Sequence, residues 1–172
     1  MFCNRKRSTF LENGKVILSN LKYVNDQMGF GATLLFGSYA SDQLSLKFKS
    51  VHLNSERIEY GLFHEPKIPK ENKNAAKLRL ACRIRKPRYA ITCHDRGTDN
   101  ISHELQVPAD LDLLNAVFAV EANLVSRTLR FLLNGQQLHD GDLPIPLSRV
   151  QLNESVFFVS LFAPGDCFRI VD

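Results

Sequence analysis

The chain has 172 residues, of which 44% are hydrophobic and 23% charged, and its formal net charge is +4. These values are ordinary for one globular domain, and they exclude a collagen-like chain, a disordered tail and a disulfide-dense miniprotein. No apolar run reaches the roughly 18–20 residues of a membrane-spanning helix, so we expect no membrane association. The basic start at residues 1–7 is not followed by an apolar signal segment, which favours a cytoplasmic or nuclear protein.

Positive charge is concentrated in the middle of the chain. Residues 67–88 carry nine basic side chains and one acidic side chain, whereas residues 89–172 carry five basic and eleven acidic ones. Such a segment either attracts an acidic partner or forms a solvated surface.

The first half of the chain shows the period-two pattern of β-strands. Short apolar segments at residues 16–18 and 33–36 are the first candidates. Apolar and polar residues then alternate at 43–49 and again at 57–63, which predicts two half-buried strands. Residues 65–74 contain two prolines and several charges, and we interpret them as a surface loop.

The clearest alternation covers residues 77–85. One face of this predicted strand is apolar, and the opposite face carries Lys77, Arg79, Arg83 and Arg85. Pro87 ends the strand because proline cannot donate to a ladder, and residues 88–93 resume as a further strand.

Strand patterns continue to the end of the chain. Residues 109–115 favour a short helical turn, residues 116–122 a strand, and residues 128–133 a strand that leads into Asn134-Gly135. This pair is typical of a type I′ hairpin turn, since both residues tolerate positive φ. A run at 155–162 is apolar on both faces, as in a strand buried on both sides, and residues 167–171 follow as a last strand.

Many short strands with little helix predict an all-β fold, a two-sheet antiparallel β-sandwich. We expect one domain at residues 10–172, preceded by a disordered basic N-terminus at residues 1–9.

Several of these segments resemble SPRY domains. Residues 120–135, which end in Phe131-Leu132-Leu133-Asn134-Gly135, are similar to a strand, turn, strand and hairpin of that family, and residues 156–170 resemble its last two strands. Residues 58–62 and 89–97 look like two of its earlier segments. The chain departs from the family in having no tryptophan. The resemblance implies a concanavalin-like sandwich that binds protein segments through loops at one end, and it transfers no binding residue by motif.

The residues suggest no catalytic or metal site. Cys93, His94 and Asp95 are adjacent, but neighbours on a strand point to opposite faces, so the thiol and the imidazole cannot meet. The five histidines lack metal-ligand spacing, and Asp140-Gly141-Asp142 is followed by Leu143 to Pro146 rather than by oxygen ligands of calcium. We therefore expect a non-enzymatic protein without metal or cofactor.

The cysteines and glycines also favour ordinary roles. We expect the four cysteines to be reduced thiols, because none forms a CxxC pair and no secretory signal is present. Gly29-Phe30-Gly31 lacks the third glycine and helix of a dinucleotide site and is interpreted as a flexible loop.

The basic face is the candidate binding site, and its function stays open at this point. The main hypothesis is a non-catalytic protein-interaction module, an adaptor or complex subunit, that binds an acidic or peptide-like protein segment. The loops expected to border its surface are residues 65–74, 94–104 and 136–145. The alternatives are RNA or other nucleic-acid binding through residues 77–88, a carbohydrate-binding sandwich, and a basic face that is only solvated. The candidate partner-binding residues are Lys77, Arg79, Arg83, Arg85, Arg88 and Tyr89.

Overall fold

The computed structural model describes residues 2–3, 8–11, 16–19, 32–36, 42–64, 78–85, 88–95, 98–104, 111–153 and 155–171. For residues 2–36, 88–104 and 153 the description within these ranges covers the backbone only.

The described residues form fifteen strands and one short helix. In chain order the elements are β1 (Phe2–Cys3), β2 (Ser8–Leu11), β3 (Val16–Ser19), β4 (Ala32–Phe36), β5 (Gln43–His52), β6 (Arg57–His64), β7 (Leu78–Arg85), β8 (Arg88–Asp95), β9 (Thr98–Glu104), β10 (Val117–Asn123), β11 (Thr128–Leu133), β12 (Gln136–Gln137), β13 (Leu143–Pro144), α1 (Arg149–Asn153), β14 (Val156–Leu161) and β15 (Cys167–Val171). Among the described residues, no helix is long and apolar enough to span a bilayer.

The strands form two antiparallel sheets, so the predicted two-sheet sandwich is confirmed. Sheet 1 has the strand order β1-β4-β14-β6-β7-β8-β9. Sheet 2 has the order β12-β11-β10-β5-β15-β3-β2, with β13 paired to β11. The strands predicted at 43–49, 57–63, 77–85, 88–93, 116–122, 128–133, 155–162 and 167–171 all appear, most of them with slightly different ends.

Aromatic side chains fill the space between the sheets. Tyr60 projects from sheet 1 into a cluster of phenylalanines from sheet 2, and its ring lies 5.2 Å from that of Phe48 and 5.5 Å from that of Phe131. Both contacts are edge-to-face, the arrangement that ring quadrupoles favour. The Tyr60 hydroxyl donates to the carbonyl of Leu132 at 3.3 Å, so its polar end is satisfied inside the core.

Strand β14 is buried on both faces, as predicted. It lies between β4 and β6 in the middle of sheet 1. Phe157, Val159 and Leu161 belong to the core between the sheets, whereas Phe158 and Ser160 are buried on the opposite side. We call that opposite side the outer face of sheet 1.

Two glycines mark places where the backbone allows no side chain or needs an unusual conformation. Asn134 and Gly135 have φ values of 50° and 80°, which confirms the predicted type I′ turn. Gly61 in β6 approaches β7 so closely that a Cβ there would overlap the carbonyl oxygen of Leu80.

Some elements differ from the prediction. The predicted loop at 94–104 is wrong, because Thr98–Glu104 is strand β9, paired with β8. Of the predicted helical turn at 109–115, residues 113–115 form a turn without becoming a helix, and residues 109–110 lie outside the described residues. Helix α1 was not predicted. The boundary between an N-terminus at 1–9 and a domain at 10–172 stays a prediction.

Candidate functional site: an arginine face at one end of the sandwich

The predicted basic stripe lies on the outer face of sheet 1. Leu80 and Ile84 of β7 are buried in the core, and the arginines of the same strand project the other way. Among the arginines of the stripe whose side chains the structure describes, Arg85 is exposed, whereas the side chains of Arg79 and Arg83 retain 17% and 28% of their accessible surface. The stripe is therefore less solvated than alternation alone predicts.

Arg79 and Arg83 lie close to the sheet because both contact Glu59 of β6. Its side chain is 2% exposed, and it lies directly opposite Arg83 in the β6–β7 register. Its Oε1 is 2.5 Å from Nη2 of Arg79, and its Oε2 is 3.2 Å from Nη2 of Arg57 and 3.4 Å from Nε of Arg83. One buried carboxylate thus gathers three guanidinium groups, and we call these four residues the Glu59 cluster.

Two of these arginines, Arg57 and Arg79, also stack on phenylalanine rings. The guanidinium carbon of Arg57 lies 3.9 Å from the centre of the Phe162 ring, and that of Arg79 lies 4.5 Å from the centre of the Phe158 ring. Stacking on an aromatic face is favourable for a planar cation, and it fixes the orientation of the guanidinium plane. Burial lowers the pKa of both arginines, and the charge of Glu59 offsets only part of that decrease.

The ends of three neighbouring strands place arginines in one row. The register pairs Arg57 of β6 with Arg85 of β7, and Arg85 with Arg88 of β8. We call these three residues the arginine row. Like charges at directly opposed positions of a sheet repel each other and lower stability. Tyr89, the other candidate on β8, is instead paired with Ile84, and Lys77 lies outside the described residues.

Asp166 fixes the turns beside the arginine row. The side chain is fully buried, and its Oδ1 accepts hydrogen bonds from the backbone N–H groups of Asn54 at 2.8 Å and Ser55 at 3.1 Å. Its Oδ2 accepts from the N–H groups of Phe162 at 2.9 Å and Ala163 at 2.8 Å. The β5–β6 and β14–β15 turns are therefore held together at what we call the Asp166 end of the sandwich.

The loops predicted to border the binding surface are described only in part. Residues 65–74 lie outside the described residues, although the strand before them stops at His64, at the opposite end of β6 from Arg57. Residues 136–145 run along the edge of sheet 2, where β12 and β13 both pair with β11. The turns at the Asp166 end were not proposed from the sequence as part of the site.

The remaining candidates keep ordinary roles where the structure describes them. Cys82 and Cys167 are buried thiols, and burial raises the pKa of Cys82 to about 12. Asp142 forms an ion pair with Arg130, at 2.8 Å between Oδ1 and Nε. No group of three potential metal ligands occurs among the described side chains. The side chains of 93–95, and residues 29–31 altogether, lie outside them.

Comparison with solved structures identifies the same fold in SPRY domains. The SPRY domain of human HERC1 superposes with a TM-score of 0.54 at 15% sequence identity, over 99% of this chain and 98% of that chain. A second human SPRY domain gives 0.53 at 9% identity over 96% and 94% of the two chains. A functionally unknown protein from Saccharomyces cerevisiae gives 0.51 at 11% identity over 95% and 91%.

These likenesses confirm the SPRY-like sandwich that the sequence predicted, and they concern the fold alone. No family model matches the sequence. No curated protein matches it either.

Proposed function

We propose that this protein is a non-catalytic protein-interaction module that binds an acidic segment of a partner protein at the Asp166 end of the sandwich. The observation that carries the proposal is the arginine row, Arg57, Arg85 and Arg88. Opposed like charges cost folding stability, and a partner that brings carboxylates or phosphates between them reverses that cost. The SPRY-like fold supports a binding role.

Rigidity of the surroundings supports the same interpretation. Arg57 is fixed by Glu59 and by the ring of Phe162, and the turn that carries Phe162 is fixed by Asp166. A site that is ordered before binding loses less conformational entropy when the partner arrives. Arg85 is exposed, and Arg57, the other arginine of the row whose side chain the structure describes, is only partly exposed.

An acidic protein segment fits this surface better than RNA. Single-stranded RNA binding combines basic side chains with exposed aromatic rings on which bases stack. The large hydrophobic side chains that are exposed in the described part of the chain are three valines and a leucine: Val51, Leu114, Val125 and Val150. Arg79 and Arg83 are also held on Glu59 instead of extending as a ladder of phosphate contacts.

The test measures binding of fluorescein-labelled peptides to the full chain by fluorescence anisotropy. The probes are a Glu-rich nonapeptide, the same peptide carrying phosphoserines, and a basic peptide in which lysines replace the glutamates. We expect saturable binding of the acidic probes that weakens at least tenfold in Arg85→Glu. Lys47→Glu is the matched control, because it makes the same charge change on an exposed position of sheet 2.

Two results would overturn the proposal. One is equal weakening in Arg85→Glu and Lys47→Glu, which would mean that only net charge matters. The other is that a labelled oligouridine binds more tightly than every acidic peptide and with a steep dependence on salt, which would assign the surface to nucleic acid.

A further inference from the structure

Sheet 2 has a polar concave surface that the proposed function does not use. It lies on the face turned away from the core and spans the ends of β5, β10 and β11, where a cavity of about 360 Å³ opens. Two rows of cross-strand neighbours line it. Their members are Gln43, Asn123 and Thr128 in one row, and Ser45, Glu121 and Arg130 in the other.

Glu121 is the central side chain of this cavity. It is partly buried, it stands opposite Ser45 on one side and Arg130 on the other, and its carboxylate has no hydrogen bond or ion pair with any residue that the structure describes. A partly buried carboxylate without a partner leaves two strong acceptor oxygens for a ligand. The neighbouring Arg130 is oriented by Asp142 through its Nε atom, so its terminal N–H groups remain as donors.

The second row adds an oriented neutral donor. The side-chain oxygen of Asn123 accepts hydrogen bonds from the N–H groups of Val125 and Ser126, both at 2.9 Å. This arrangement turns the amide NH₂ of Asn123 away from the turn and leaves it available as a donor. The hydroxyl of Thr128 lies 2.8 Å from that of Ser126 at the rim of the cavity.

We propose that this cavity binds a neutral sugar of one or two rings. Adjacent hydroxyls of a sugar donate to the two oxygens of Glu121, while Arg130 and Asn123 donate to sugar oxygens. The volume falls at the low end of the about 300–1,000 Å³ that is typical of small-ligand sites. Because Asp142 already balances Arg130, the cavity has no excess of positive charge and does not favour an anion.

The experiment is an NMR titration of the full ¹⁵N-labelled chain with methyl glycosides of glucose, galactose and mannose and with their disaccharides. We expect at least one of them to shift the backbone amides of Ser45, Glu121 and Asn123 in a saturable way, with millimolar affinity, since no aromatic ring lines the cavity. In Glu121→Gln the affinity falls at least fivefold. Glu56→Gln, an exposed glutamate in the β5–β6 turn, leaves it unchanged.

Ser45→Ala is the second variant, to be used if Glu121→Gln disturbs amide signals far from the cavity. The proposal is overturned if no sugar produces saturable shifts, or if the shifts are equal in wild type and in the variants. It is also overturned if Nα-acetyl-lysine methylamide shifts the same amides while sugars do not, since Glu121 then binds a cation. Acidic peptides bind on the other sheet, so the outcome is independent of the arginine face.

Discussion

Removal of the Asp166 carboxylate should destabilise the whole sandwich. Four backbone N–H groups donate to it at 2.8 to 3.1 Å, and no water-exposed surface of the side chain remains. A hydrogen bond to a charged group contributes about 1.5–3 kcal/mol, so four of them exceed the cost of burying one carboxylate. Because opening of the two turns lets water reach some of the freed donors, we expect Asp166→Ala to cost about 4 kcal/mol of unfolding free energy.

Two further variants separate this cause from others. Asp166→Asn keeps one acceptor oxygen and faces two N–H groups with its own NH₂, so the expected loss is about 2–3 kcal/mol. Asp140→Ala, at an exposed bend, should stay within about 0.5 kcal/mol of wild type. Urea unfolding followed by circular dichroism measures all three. A loss below about 1 kcal/mol in Asp166→Ala would refute the reasoning, because the turns would then hold together without the carboxylate.

Four other substitutions test the interior, the Asn134-Gly135 turn and the Glu59 cluster. Burial raises the pKa of Cys82 from 9.0 to about 12, so the stability that its neutral thiol contributes is complete below pH 9 and is lost as the pH rises toward 12. Between pH 9 and 11 wild type should therefore lose about 2 kcal/mol more than Cys82→Ala in urea unfolding, and parallel curves would contradict this. Glu59→Gln removes the negative charge that pairs with Arg57, Arg79 and Arg83, and we expect a loss of about 2–3 kcal/mol, which unfolding at low salt measures. Gly61→Ala forces β6 away from β7 and should lower the free energy of unfolding by more than about 3 kcal/mol. Gly135→Ala places its Cβ in open space and should cost about 1 kcal/mol, because of its positive φ alone. Thermal unfolding compares the two variants, and equal losses of stability would contradict the overlap at Gly61.

The strands that could be predicted are those whose side chains either alternate between apolar and polar, as in β7, or form a continuous apolar run, as in β14. In β7 the side chains alternate between the core and the outer face, and the sequence records that alternation directly. Strand β9 shows neither pattern, because its seven residues are mostly polar. It is held in the sheet by backbone pairing with β8. Helix α1 is too short for a period, but its start carries a capping box. The N–H of Gln151 donates to the hydroxyl of Ser148, and the N–H of Ser148 donates to the side chain of Gln151.

The candidate site was predicted only in part for a similar reason. Alternation places Arg79, Arg83 and Glu59 on the outer faces of their strands, but it carries no information about which strands are neighbours. The Glu59 cluster exists because β7 pairs with β6 in a register that sets Glu59 opposite Arg83. The role of Asp166 depends on its hydrogen bonds with Asn54 and Ser55, which precede it in the chain by 112 and 111 residues. Neither arrangement has a local sequence pattern.

The position of the last two strands has a consequence for synthesis on the ribosome. Strand β14 inserts between β4 and β6, and β15 inserts between β3 and β5, so each sheet is divided in two until residues 156–171 emerge. A nascent chain that stops before them carries unpaired edges in both halves, which are templates for intermolecular pairing. Completion of the sandwich therefore requires residues 156–171, and premature termination near residue 155 should yield an aggregating product instead of a smaller folded one.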